Sequence, residues 1–247
     1  MKKIVIIGAT SAIAEQCARR WVEKQSVVLT LVGRDANRIE AIAIDLKVRN
    51  PQSDIRVVQT DFLDPVTIQE TVDELFAYGD IDIAMIAHGF LPDQADCQDS
   101  LKACREALEV NAISPVLFAE AFAKQMGKAN FGTIALIGSV AGDRGRKSNY
   151  VYGSAKGLIT RYAQGLQHRF AGTGVKVVLI KPGPTDTPMT AHLKAQGTKL
   201  ASVEVVAKQI IEAIERGKPV VYTPGKWRLI MLIIIHLPKL IFNKLNI

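Results

Sequence analysis

Short apolar runs rich in β-branched residues recur along the chain, separated by amphipathic stretches with helical spacing. "KIVIIG" reads as a buried parallel strand, brief and ended by glycine. Residues 12–25 take helical spacing, "SVVLTLVG" reads as a second strand, and "DANRIEAIAIDLKVRN" as an amphipathic helix with Asp35 as N-cap. "DIRVVQTD" is the third strand. "PVTIQETVDELFAYG" is a helix opening at Pro65 and closing at Gly79. "IDIAMIAHG" is a fourth strand, followed by one long helix over 100–127. Then come "FGTIALIGS", a helix over 150–171, "VKVVLIKPG" and a helix over 202–216. No repeat or low-complexity linker interrupts the alternation.

Alternating strands and helices predict an α/β fold: a single doubly wound Rossmann domain with a parallel sheet. It should span residues 1–225, with a hydrophobic, basic C-terminal tail over 226–247. Right-handed crossovers place every strand's carboxyl end on one edge of the sheet. Gly8, Gly33, Asp61, Gly89, Ser139 and "KPGPTDT" lie at strand ends and should converge on one crevice.

Composition narrows the function. A chain of 247 residues with 48% hydrophobic positions can bury a substantial core. The net charge of +7 invites a nucleic-acid partner, but its distribution argues against one. No acid follows Glu215, while Arg216, Lys218, Lys226, Arg228, Lys239 and Lys244 do, so the body is near neutral. A basic tail points to a local anionic surface, not to nucleic acid. Cys17, Cys97 and Cys104 lack metal or redox spacing, which predicts a reducing, cytoplasmic setting without disulfide or metal. The apolar run behind Lys2 and Lys3 is too short for a signal peptide.

"GATSAIA" sits where a dinucleotide fold puts its phosphate loop. Gly8 keeps the turn, and Ala12 and Ala14 hold the places of two further glycines. Those methyl groups are tolerable at negative φ. Thr10 and Ser11 offer hydroxyls, and the following helix offers free N–H groups to phosphate. Arg34, after the second strand, suits the 2′-phosphate of NADP(H), which favours that cofactor over NAD(H). Asp35 keeps NAD(H) open, although a helix cap explains it equally well. Tyr152 and Lys156 lie one helical turn apart, and a cation beside a phenol should lower the phenol pKa towards neutrality. Tyrosine could then exchange a proton with an alcohol or ketone. Ser139 could donate a hydrogen bond to the substrate oxygen.

With these residues in that order, the chain resembles the short-chain dehydrogenase/reductase family from residue 1 to about 225. The likeness rests on "GATSAIA", "TDF", "EVNAISP", "IGSVAG", "YGSAK" and "KPGPTDTPM". It implies a catalytic tetrad of Asn111, Ser139, Tyr152 and Lys156. Tyr152 is then acid/base, Ser139 orients the carbonyl, Lys156 tunes Tyr152 and binds ribose, and Asn111 holds a water of the proton relay. It implies cofactor contacts from Gly8, Thr10, Ser11, Ala12 and Ile13 at the loop and from Arg34 at the second strand. Asp61 and Phe62 would line the adenine. Ala87, Gly89, Tyr152, Lys156, Pro182, Thr185 and Thr187 complete the implied set. "IAHG" departs from the family's NNAG, and His88 is expected to pack beside the cofactor. The family usually forms homodimers or homotetramers.

"GATSAIA", "LVGRD", "AHG" and "WRLIMLII" also resemble decaprenylphosphoryl-2-keto-ribose reductases, which implies a lipid-linked carbonyl substrate. A small-molecule ketone or 3-oxoacyl reductase, and a non-catalytic NADP-binding regulator, remain the alternatives. Residues 184–200 should form a substrate lid. In the tail, Leu229 to Ile235 is uncharged but far shorter than the ~20 residues that span a bilayer. Arg228, His236, Lys239, Asn243 and Asn246 cluster on one side of an assumed helix, and Pro238 should kink it into two. Trp227 and the flanking cations suit a headgroup interface, so peripheral association with the inner membrane face competes with packing against the body or a subunit.

Overall fold

A computed structural model describes residues 1–245; Asn246, expected on the polar side of the tail, lies outside them. Seven strands form one parallel sheet: β1 (Lys2–Ile7), β2 (Val27–Gly33), β3 (Asp54–Gln59), β4 (Ile83–Ile86), β5 (Gly132–Ile137), β6 (Val175–Pro182) and β7 (Val220–Thr223). Their spatial order is β3-β2-β1-β4-β5-β6-β7, which confirms the doubly wound Rossmann-like fold. The order reverses between β1 and β4, where Ile4 pairs with Ile83 and Ile7 with Ile86. Ligands of such sheets bind beyond that reversal, at the strands' carboxyl ends. The edge strand β7 escaped the sequence reading because four residues carry too little pattern.

Helices α1 (Ala12–Lys24) and α2 (Ala36–Arg49) cover one face together with α9 (Val203–Glu215). The other face carries α3 (Pro65–Ala77), α6 (Ser114–Ala129) and α7 (Tyr150–Arg169). Trp21 fills the first layer, and Phe118 and Phe122 the second, all fully buried. Local signals set several boundaries. The Asp35 carboxylate accepts from Arg38 N at 3.1 Å to start α2, and Asp64 accepts from Thr67 N at 2.8 Å to start α3.

The expected single helix over 100–127 is a series of pieces. These are α5 (Leu101–Leu108), a π-turn at Glu109–Ile113, and α6, with the separate short α4 (Gln94–Asp99) before them. Ser100 caps α5 through Ala103 N at 3.2 Å. Pro115 has no N–H to offer the Asn111 carbonyl four residues back, so regular winding fails there. The β5–α7 connection contains a 3₁₀ turn at Val140–Gly142. The expected lid contains a 3₁₀ turn at Pro188–Thr190 and the short α8 (Ala191–Ala195).

The tail forms α10 (Lys226–His236) and α11 (Lys239–Phe242), divided at Pro238 as the sequence predicted. It docks on one side only. Met231 is fully buried, and Arg144 donates to the Ile234 carbonyl, donates to the Leu237 carbonyl at 2.8 Å, and sits 3.7 Å above the Phe242 ring. Trp227 does not point outwards, contrary to its expected headgroup role. Its indole lies against Gly183, where any Cβ would come within 1.9 Å of Nε1. Leu229, Leu232, Ile233, Leu240 and Ile241 stay exposed, beside the exposed Arg228, His236, Lys239 and Asn243. No helix among the described residues is long and apolar enough to cross a membrane.

Candidate active site

Gly8 ends β1 at φ +84°, and a Cβ there would come within 2.6 Å of His88 N and Cβ. Conformation and close approach both require glycine at this turn. Ala12 and Ala14 belong to the first turn of α1, where φ is negative, so the two alanines cost the loop little. Ser11 stands at the N-cap, yet its side chain makes no cap hydrogen bond. Its hydroxyl and the free N–H groups of α1 are therefore available to an anion, and the cradle fits a dinucleotide's phosphates. Arg34 is exposed at the end of β2 and shares a shallow recess with Asp61. The Asp35 carboxylate is committed to capping α2. The Phe62 ring is turned inward, 4.7 Å from the His88 ring and 5.2 Å from Phe118, so adenine could meet only its backbone.

The fold brings most of the remaining expected residues into one cleft. Ser11, Ile13, Ala87, Gly89, Asn111, Ser139, Tyr152, Lys156, Pro182, Thr185 and Thr187 all line it. Gly8, Thr10, Ala12, Arg34, Asp61 and Phe62 lie outside its lining. Ser139 and Tyr152 come together because the turn after β5 presses on α7. A Cβ on Gly142 would meet the Lys156 backbone at 2.6 Å, and one on Gly153 would lie 3.0 Å from the Ala141 carbonyl. The Ser139 Oγ accepts from Ala141 N at 3.1 Å, which leaves its proton free to donate. Lys156 is 3% exposed; its Nζ donates to the Ile137 carbonyl at 3.2 Å and lies 5.7 Å from the Tyr152 ring centroid. The Asn111 amide spans the π-turn, accepting from Phe90 N and donating to the Ala107 carbonyl, both at 2.9 Å. Gly89 leaves room beside it, since a Cβ would stand 2.7 Å from Asn111 Oδ1 and 3.5 Å from Lys156 Nζ. Thr185 donates to the Gly183 carbonyl at 2.9 Å, and the Thr187 hydroxyl meets that of Thr190 at 3.3 Å.

Electrostatics correct one expectation. The Tyr152 phenol is not lowered towards neutrality; burial pushes it up to about 12, and the Ser139 hydroxyl offsets only part of that. Burial lowers the Lys156 ammonium to about 8. At neutral pH this site therefore holds a protonated phenol beside a protonated amine. His88 is buried and lowered to about 3 by desolvation, with the Lys156 and Arg34 charges adding to the effect. It is neutral, and its Nε2 pairs with Ser114 Oγ at 2.8 Å. These contacts make it a packing residue, as expected.

Sequence reasoning missed Leu91, Arg146 and Asn149, which also line the cleft, whereas Met189 and Leu193, lining it too, fall in the expected lid over 184–200. The cationic run "DRGRKSN" between Ser139 and Tyr152 was the available signal.

A parallel doubly wound sheet with a phosphate cradle, and a Ser–Tyr–Lys cluster beyond it, defines the class of nucleotide-dependent oxidoreductases. The short chain dehydrogenase family profile matches residues 2–198, and the chain belongs to that family. It is 32% identical to an uncharacterized oxidoreductase of Streptomyces coelicolor, over 99% of this chain and 96% of that one. It is 29% identical to an uncharacterized oxidoreductase of Mycobacterium tuberculosis, over 98% and 96%. Among solved structures it resembles a Sphingobium yanoikuyae short-chain dehydrogenase in complex with NADPH, at TM-score 0.82, 22% identity and 93% and 92% coverage. Levodione reductase superposes at TM-score 0.82 with 18% identity, covering 91% of this chain and 96% of that one. The protein is thus an oxidoreductase acting on CH–OH groups with a nicotinamide cofactor.

The buried lysine has a consequence for stability. The unfolded chain keeps a proton on Lys156 up to 10.5, whereas the folded chain releases it near 8. Between those values the unfolded state binds more protons, so this residue makes stability rise with pH. Without cofactor, the wild-type protein should gain roughly 2–3 kcal/mol relative to Lys156→Met between pH 8 and 10. Urea midpoints across that range measure the gain, and parallel curves for the two proteins would contradict it.

Proposed function

We propose that this enzyme reduces a ketone to a secondary alcohol with NADPH preferred over NADH, and that the ketone is a sugar carried on a polyprenyl phosphate. The observation that carries the reading is the convergence of Ser139, Tyr152 and Lys156 in one cleft whose lining reaches Ser11 and Ile13 of the phosphate cradle. When bound, the nicotinamide supplies the hydride. Ser139 accepts from Ala141 N and donates its proton to the substrate carbonyl. Tyr152, held protonated by burial, breaks its O–H bond as the substrate oxygen gains that proton. Lys156 faces the phenolate that results and, through the ribose hydroxyls, orients the cofactor. Asn111 fixes the π-turn beside Lys156 and holds the water that returns a proton to the site. Thr10, Ser11 and the first turn of α1 hold the pyrophosphate, with Pro182, Thr185 and Thr187 around the nicotinamide. Arg34 takes the 2′-phosphate; the capping role of Asp35 supports this, because it removes the competing ribose acceptor.

The tail supports the lipid-linked substrate. Its outward side is apolar, Lys226, Arg228, Lys239 and Lys244 surround it without any acid, and it adjoins the cleft through Met231 and Arg146. Such a surface suits an anionic membrane face. Reductases of small ketones or of 3-oxoacyl groups would share the catalytic residues and have no use for that surface.

Tyr152→Phe should abolish NADPH oxidation with every ketone while NADPH still binds, because only the transferable proton is lost. A substantial remaining rate in steady-state assays would rule out the proton role.

Arg34→Ala should weaken NADPH binding by about 1.5–3 kcal/mol, the loss of a charge-assisted contact, and leave NADH nearly unchanged. Titration of both cofactors decides it, with equal losses counting against the 2′-phosphate role.

Full-length protein should float with anionic liposomes at low salt, and protein lacking residues 226–247 should stay behind while still binding NADPH. Absence of flotation by the full-length chain would remove the membrane reading and, with it, the chief support for a lipid-linked substrate.

A further inference from the structure

Arg146 is a cation in the wall of the cleft with no ion-pair partner among the described residues, although Asp143 acts on it at longer range. It lines the cavity with Asn149 and Tyr152. Its Nε is buried and makes no hydrogen bond, and one Nη donates only to the Met231 thioether at 3.4 Å. No carboxylate lies within ion-pair distance of it among the described residues. Asp143, the nearest acid in sequence, is already engaged: Lys181 takes one carboxylate oxygen and the Tyr222 hydroxyl the other, at 2.8 Å. Arg144, the neighbouring cation, spends its guanidinium on carbonyls of the tail. Asn149 contributes a second open group, since its Oδ1 is buried without a donor. A guanidinium needs acceptors and a carbonyl oxygen needs a donor, and burial makes both costly to leave empty. An anion beside a hydroxyl satisfies the two together.

We propose that Arg146 and Asn149 form the anion-binding pole of the substrate half of the cleft, Arg146 pairing with a phosphate next to the reacting carbonyl and Asn149 accepting from a neighbouring hydroxyl. This deepens the proposed reductase reading and rests on it for the identity of the ligand as substrate. Leu91, Met189 and Leu193 supply apolar wall around the pole. Arg146 itself touches the buried Met231 of α10, so the pole lies against the inner side of the tail. The chemistry required is a hydroxyketone bearing a phosphate, whether a free phosphate ester or a polyprenyl phosphodiester.

Calorimetric titration of the full-length protein saturated with NADPH tests this, because the cofactor then blocks its own phosphate cradle. The probes are dihydroxyacetone phosphate and farnesyl phosphate, each against its neutral parent, dihydroxyacetone and farnesol. At least one phosphate should bind ten-fold or more tightly than its parent. Arg146→Met should erase that preference, Arg146→Lys should restore part of it, and Asn149→Asp, which places a carboxylate beside Arg146, should also erase it. A preference confined to farnesyl phosphate identifies the lipid-linked source, and one confined to dihydroxyacetone phosphate the free source. Equal binding of phosphates and parents by the wild type, or an undiminished preference in both Arg146→Met and Asn149→Asp, overturns the proposal. Should Arg146→Met fail to fold, Arg146→Lys and Asn149→Asp carry the test. The titration needs no turnover, so an enzyme that binds phosphate at this pole yet reduces no ketone would refute the reductase reading alone.

Discussion

The carboxylate of Asp143 holds the connection between β5 and α7 to the sheet, and much of the candidate site depends on that attachment. Its two oxygens meet Lys181 on β6 and Tyr222 on β7, and both members of the ion pair are almost fully buried. Removing one partner from such a pair typically costs about 3–5 kcal/mol, because the other charge is stranded out of water. Here the pair fixes the connection between β5 and α7. That connection carries Ser139 at its start, the turn pressed onto Gly153 of α7, and then Arg144 and Arg146. With the loop tied down, Ser139 is presented to Tyr152, Arg144 reaches the end of α10, and Arg146 faces the cleft. The tail and the reaction centre are therefore joined through one short segment anchored by one buried charge pair.

Burial acts in opposite directions on the two central groups. It raises the phenol of Tyr152 and lowers the ammonium of Lys156, since each moves towards its neutral form in a site poor in water. The simple argument that a lysine one turn away must acidify the tyrosine treats the pair as if it were in solvent. In the folded protein, Lys156 Nζ turns towards the Ile137 carbonyl, and desolvation of the phenol outweighs the lowering by the Ser139 hydroxyl. A phenol kept protonated suits a group that gives its proton to a reduced carbonyl. His88 shows the same force more strongly: enclosed by Phe62, Phe118 and Ser114, it is neutral and supports the β1–β4 junction against Gly8.

The tail meets neither simple expectation for it. It is not a free interfacial helix, because Met231 and Trp227 face inward and Arg144 satisfies its C-terminal carbonyls. It is not a fully packed element either, because Leu229, Leu232, Ile233, Leu240 and Ile241 remain exposed. An amphipathic helix ordinarily turns its apolar stripe to the core and its polar side to water. This one is apolar on both sides, and among the described residues only the inner side has a partner.

The sequence by itself determined the alternating architecture, the crevice at the strand ends and the glycine turn after β1. Short-range patterns suffice for these: β-branched runs, caps such as Asp35, and a glycine at the turn after β1, where φ is +84°. It also placed Tyr152 and Lys156 on one helical face, because spacing along a helix is local. It could not show that the helix over 100–127 breaks around Asn111, although Pro115 supplied the cause, since a break depends on what the rest of the domain packs there. Nor could it join Asp143 to Lys181 and Tyr222, which lie 38 and 79 residues away, or reveal that Arg146 pairs with no carboxylate among the described residues. Charge compensation and desolvation are properties of the assembled interior. Only the tertiary structure decided which ions are paired, which way the Tyr152 pKa moves, and which cation is left facing the cleft.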